Sequence, residues 1–277
     1  MSNLSQHIKS AEAKWLVPVK QQLISLYHNV HLPSHDISHH ERVWDFCKQL
    51  MAEINSYGEC IDDNLVEQLL VASLFHDTGL IKDKSEKHGY QSRIFCVNFF
   101  EQNPKLQLND IECVLHAIEH HDDKSLKAQP GIVQKPSTDI LTLLSTADDL
   151  DAFGYVGVFR YLEIYLLRGI AFKAIPKMVM DNITNRLTNF SNNYSMLSSF
   201  HDNQVNRYYI THRFYSELAL EQAGSFPGDY SSITELLVKH LVNDKNDVKT
   251  AITHGLLSLQ SPVLIDFFIS LKEELEL

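Results

Sequence analysis

Apolar residues recur at helical spacing along nearly the whole chain, and strand-like alternation is absent. Val43, Phe46, Cys47, Leu50 and Ile54 fall three or four apart, which predicts a helix with His39 at its start. Asn64 and Glu67 have capping-box spacing, and the apolar run behind them reaches Leu74 and Phe75. That helix is expected to end in His76-Asp77-Thr78-Gly79, with Gly79 as its terminator. A further helix is predicted from about Ser85 to Glu101, stopping before Pro104. Ile111, Val114, Leu115 and Ile118 mark the next, running into His120-His121. The polar segment from Asp122 to Lys135, with Pro130-Gly131, reads as a loop. A helix then runs from about Ser137 through Leu141, Leu144 and Ala147 to Asp148, and the aromatic stretch from Gly154 to Leu167 reads as a buried one. Beyond Pro176 the pattern stays helical, with breaks near Pro227-Gly228, Asn243 and Pro262. The fold class is therefore all-α, with no internal repeat.

Composition agrees: 10 glycines and 8 prolines in 277 residues are few turn-makers, which favours long helices. Eleven of the fifteen histidines lie at or before His121, so the chemistry is expected there. Residues 1–175 are read as the domain carrying it. Residues 176–277 are read as a supporting or oligomerisation subdomain, which keeps a homodimer among the expected assemblies. The formal charge of -11 makes long nucleic acid an unsuitable partner. A small phosphorylated substrate can bind so acidic a chain if a metal reverses the local field. Cys47, Cys60, Cys96 and Cys113 show no CxxC pairing and are read as buried structural thiols. The polar segment from Met1 to Lys20 holds no signal-like run. The most apolar stretch, Ala152 to Ala174, carries Arg160, Glu163, Arg168 and Lys173 and does not suit a bilayer. A cytoplasmic protein without membrane partners is expected.

Three pieces carry the candidate chemistry: His39-His40-Glu41-Arg42-Val43, Leu74-Phe75-His76-Asp77-Thr78-Gly79, and Ala147-Asp148-Asp149-Leu150-Asp151. Two are apolar helices that end abruptly in imidazole or carboxylate. Buried charges need partners, and this donor mixture suits a divalent transition metal. Taken singly, a histidine on a helix is more often a surface or capping residue. The ordered set is far more specific.

That order, His39, then His76-Asp77, then Asp148, resembles the H…HD…D signature of the HD-domain phosphohydrolase superfamily. The likeness covers roughly residues 28 to 170. It is nearest to small bacterial HD proteins whose last motif reads Ala-Asp-x-Leu-Asp-Ala-x-Gly, here Ala147 to Gly154. Asp149 stands where that subgroup often has a basic residue. The resemblance implies an HD-type helical bundle with additional C-terminal helices, and a divalent metal (Mn, Fe, Co, Mg or Zn) held by His39, His76, Asp77 and Asp148. It further implies hydrolysis of phosphoesters or phosphoanhydrides, often on nucleotides. His88 and His120 look like the extra ligands of two-metal members, so one or two ions are expected. His121 reads as a further ligand or a proton donor, and His116 as a neighbour one turn before His120.

Asp77 would orient the attacking water, and Lys82, Lys84, Lys124, Lys127 and Arg160 are the candidate phosphate contacts. His35-Asp36 is read as a cap before the first motif, and His40 as pointing away from His39. Rival readings are a di-iron oxygenase of the same superfamily, a cyclic-dinucleotide phosphodiesterase and a non-catalytic nucleotide-binding module. The segment after His121 lacks the Gly-Tyr-Pro of the phosphodiesterase type, and a mere binding module need not keep all four ligands.

Overall fold

The computed structural model describes residues 3–85, 87–123, 134–225, 229–257 and 261–276. Lys124, Lys127 and the expected break at Pro227-Gly228 lie outside the described residues. The described residues form twelve α-helices and no strand, so the chain is all-α. In order these are α1 (Asn3–Tyr27), α2 (Ile37–Tyr57), α3 (Asp63–Phe75), α4 (His88–Gln102), α5 (Ile111–His120), α6 (Ile140–Asp151), α7 (Gly154–Leu167), α8 (Ile175–Tyr194), α9 (Ser198–Gln222), α10 (Tyr230–Leu237), α11 (Val248–Leu257) and α12 (Pro262–Glu274). A 3-10 turn, Thr78–Ile81, follows α3. None of the described helices is long and apolar enough to cross a membrane.

Two compact units divide the chain: residues 1–150 with 188–201, and residues 151–187 with 202–277. In the first, α1, α2 and α5 all pack on α3. From Leu69 to Phe75 every residue of α3 is buried, as expected of a helix apolar on all sides. Truncating one of these, such as Leu70 or Phe75, to alanine should cost about 2–5 kcal/mol. The consequence for the site is positional, because a helix at the centre of the unit delivers His76 and Asp77 into its interior.

Helix ends explain the local geometry. Asp36 caps α2, its carboxylate accepting from the Ser38 and His39 backbone N–H groups. At α3 the cap is Asp62, accepting from Leu65 N at 2.8 Å, two residues before the expected Asn64. Glu67 is instead drawn to Lys14 and to the Trp15 indole N–H, at 2.7 and 3.0 Å. Gly79 does not end α3 with a left-handed cap; it lies inside the 3-10 turn, pressed against α4. A Cβ there would collide with the His88 carbonyl oxygen. The Gly79 N–H donates to Ser92 Oγ at 2.8 Å, which pins the turn to the start of α4. Gly89 does the same on the other side, where a Cβ would strike the Glu119 carbonyl of α5. Cys47 and Cys96 are buried as expected, but Cys60 and Cys113 are exposed, because they sit at element edges rather than on a buried stripe.

In the second unit α7 is buried along most of its length. Arg160 there pairs with Asp151 at 3.0 Å. Tyr215 donates its hydroxyl proton to the Val158 carbonyl at 2.7 Å, and Thr211 donates to the Gly154 carbonyl at 2.8 Å.

Candidate metal centre

His39 stands on the first turn of α2, fixed by the Asp36 cap. His76 and Asp77 follow the last residue of α3, and Asp148 belongs to the last turn of α6. Ser145, one turn before Asp148, donates to the His121 carbonyl at 2.7 Å and ties α6 to the end of α5. The four side chains converge and are all buried. His39 Nε2 lies 3.1 Å from His76 Nε2, 3.2 Å from Asp77 Oδ2 and 3.6 Å from Asp148 Oδ1. His76 Nε2 lies 3.5 Å from Asp77 Oδ2 and 3.8 Å from Asp148 Oδ1.

A second group shares Asp77. Its other oxygen, Oδ1, lies 2.9 Å from His88 Nε2 and 3.0 Å from His121 Nε2. These two nitrogens are 3.4 Å apart. The close approaches at Gly79 and Gly89 bring them there, since both bind α4 to its neighbours beside His88.

The chemistry of these donors fits a metal ion. His76, His88 and His121 each hold Nδ1 at 2.8 Å from a backbone carbonyl three residues earlier, of Ser73, Ser85 and Ile118 respectively. A carbonyl can only accept, so Nδ1 carries the hydrogen and a neutral ring offers its Nε2 lone pair. Two such lone pairs and a carboxylate oxygen then face one another at His88, His121 and Asp77, which is unfavourable without a cation or an added proton. Nitrogen and carboxylate donors together suit Mn, Fe, Co or Zn.

The electrostatics follow the same logic. Burial alone would raise the Asp77 carboxyl, but His76, His121, His39 and His88 hold it well below the usual carboxylate range. Burial would likewise lower His121, yet the hydrogen bond and charge of Asp77 push it up to about 9. For His76 burial wins over the attraction of Asp77, and the ring is held below its ordinary value. His40 is held well below its own by burial and by the neighbouring His76 and His39.

Of the residues expected beside His88, the geometry brings His121 and leaves His120 outside. The His120 side chain is one-third exposed, and its Nδ1 lies 3.9 Å from Asp123 Oδ2. Helix phase is the reason: Val114, Ala117 and Ile118 form the buried stripe of α5, and His121 continues it whereas His120 does not. An open pocket of about 620 Å³ is lined by His88 and His121 together with Lys87, Tyr90, Asp122 and Asp123, among others. Lys82 is not in that lining; it is exposed, with Nζ 4.9 Å from the centre of the Phe95 ring. Arg160 is buried against Asp151.

Two buried histidines beside the centre had no part in the expected set. His35 follows the Leu32 turn, with Nδ1 2.7 Å from Ser34 Oγ and Nε2 3.9 Å from Asp77 Oδ2. No periodicity precedes it, so the sequence carries no sign of its burial. His40 points away from the donors of His39, as expected, but into the interior: its Nε2 is 2.7 Å from the Tyr27 hydroxyl, because α2 is covered by both α1 and α3.

The family model of the HD domain matches residues 36–153, from the cap of α2 to just past α6. This segment is an HD domain. It contains His39, His76, Asp77, His88, His121 and Asp148. No curated protein and no solved structure matches the chain. HD domains are mostly metal-dependent phosphohydrolases, and the buried groups around Asp77 are where this HD domain could bind divalent ions.

Proposed function

We propose that the HD domain hydrolyses a phosphoester or phosphoanhydride bond in a small phosphorylated compound, a nucleotide or a related phosphate. One observation carries this reading: each oxygen of the Asp77 carboxylate faces a different histidine group. His39, His76, Asp77 and Asp148 would hold one divalent ion, and Asp77, His88 and His121 a second. Bound there, such ions would polarise a phosphoryl oxygen and would lower the pKa of a coordinated water from 15.7 toward roughly 7.

The protein's own groups have defined parts. Asp77, kept ionised by its histidines, is an acceptor only and orients a water without taking its proton. Three backbone carbonyls fix the imidazoles with Nε2 inward, so no rotation is needed when a ligand arrives. His121, whose pKa Asp77 pushes up to about 9, would have to lose its proton to serve as a ligand, and we assign it no separate role as general acid. A phosphoryl group reaching the centre passes the pocket wall of His88 and His121, where Lys87 is the cation at hand. Arg160, committed to Asp151, is left out of the substrate contacts. Two exposed free thiols, Cys60 and Cys113, suit a reducing compartment, which supports a cytoplasmic setting. Residues 176–277 are assigned support or self-association.

The test is phosphate release by protein loaded with Mn, Co or Mg against a panel of nucleotides and phosphoesters. No hydrolysis by any loaded form ends the reading. The second histidine group also suits a di-iron oxygenase of the same superfamily. Oxygen consumption by the iron-loaded protein, without phosphate release, would establish that alternative. No turnover in either assay would leave a binding module.

A further inference from the structure

We propose that His116 and His120 form a separate site for a borderline divalent ion, Zn, Ni or Cu, on the outer face of α5. The two residues are one helical turn apart, and neither belongs to the groups around Asp77. Their ring centroids are 4.6 Å apart with the planes tilted by 55°. His116 is exposed and His120 one-third so. Both rings are therefore free to turn a nitrogen toward a common point. Histidines spaced i, i+4 on one helix face are an arrangement that captures zinc.

Three further features favour a cation at this place. Asp123 places a carboxylate oxygen 3.9 Å from His120 Nδ1, so negative charge stands beside one of the two rings. Helix α5 ends at His120, and the carbonyl end of a helix attracts positive charge. Asp122 adds negative charge next to it. His120 is also part of the pocket wall next to His121. An ion held there narrows the approach to His88 and His121, so the site couples metal supply to access.

The experiment is equilibrium dialysis of the full chain over a series of free zinc concentrations, with bound metal counted per chain and compared at the concentration that just fills the wild-type sites. Wild-type protein should carry one equivalent more than either His116→Gln or His120→Gln, and each variant should bind that equivalent about a hundredfold more weakly, as expected when one of two linked donors is lost. Asp77→Ala, which dismantles the inner groups, should keep it. Equal stoichiometry in wild type and His116→Gln overturns the proposal, and so does loss of the outer equivalent in Asp77→Ala. His116 is exposed and remote from the core, so its substitution leaves the fold intact. No turnover is measured, so failure of the hydrolase reading would leave this result standing.

Discussion

The two histidine groups that share Asp77 are closed to different degrees. The first draws four donors from α2, the end of α3 and α6, and none of His39, His76, Asp77 and Asp148 lines the pocket. The second has three donors, and two of them, His88 and His121, stand in the pocket wall. An ion held by four buried protein donors would keep fewer positions for water or substrate than one held by three donors, two of them in a pocket wall. On the proposed reading, the first group anchors and the second exchanges. The comparison teaches that one carboxylate can belong to two donor groups when its two oxygens are presented to different neighbours.

Asp77→Ala breaks both halves and should have the largest effect. Loss of phosphate release should exceed about a thousandfold, since each lost contribution is worth several kcal/mol. Circular dichroism should show the fold retained, and Asp122→Ala, outside the two groups, should cost far less. Next in size, His88→Ala separates the halves. Metal held by the groups around Asp77 should fall from about two equivalents to about one, with the anchoring ion kept. If wild-type protein takes up a single inner equivalent, the distinction between anchoring and exchanging groups collapses.

Acidity sharpens the same contrast in the metal-free chain. His121, raised from its ordinary 6.5 to about 9, contributes stability that is complete below about pH 6.5 and lost as pH rises through 9. That loss amounts to at most about 3 kcal/mol. His40 and His76, held below their ordinary value, act in the opposite sense and cost stability as pH falls below about 6.5. Thermal melts of metal-free protein should therefore peak near neutrality and fall on both sides. Saturating metal should abolish the alkaline decline; a decline that persists would mean His121 is not a ligand. The smallest effect concerns substrate capture. Lys87→Ala should raise KM by about tenfold, roughly the 1.4 kcal/mol of one charge-assisted contact, with kcat little changed. Lys82→Ala, outside the pocket lining, should leave both constants nearly unchanged.

How far the sequence revealed this arrangement differs between the halves. The anchoring group was legible in full, because an apolar helix that stops in His76-Asp77 advertises a buried charge. The exchanging group was half legible. His88 was identified, but the pair His120-His121 needed the phase of α5, and the stripe Val114, Ala117, Ile118 selects His121. His35 was illegible because its burial depends on a loop folded over the site, with no local period to reveal it. Helices α2 to α7 were legible one by one; α1 was not, since Met1 to Lys20 reads as a polar segment, and beyond Pro176 only a helical pattern with breaks was legible. The start of α3 shifted because Glu67 answers to Lys14 and Trp15, partners more than fifty residues away in sequence.

The glycines at 79 and 89 have a consequence for how this protein can vary. At both positions backbone meets backbone, so the gap between the turn, α4 and α5 is a fixed gauge rather than a sum of side-chain volumes. Core residues such as Phe99 can be exchanged for others of similar bulk, changing stability, while the spacing of His88 and His121 stays as the gauge sets it. Robustness of the reactive geometry and freedom of the core are thus assigned to different atoms of the same helices.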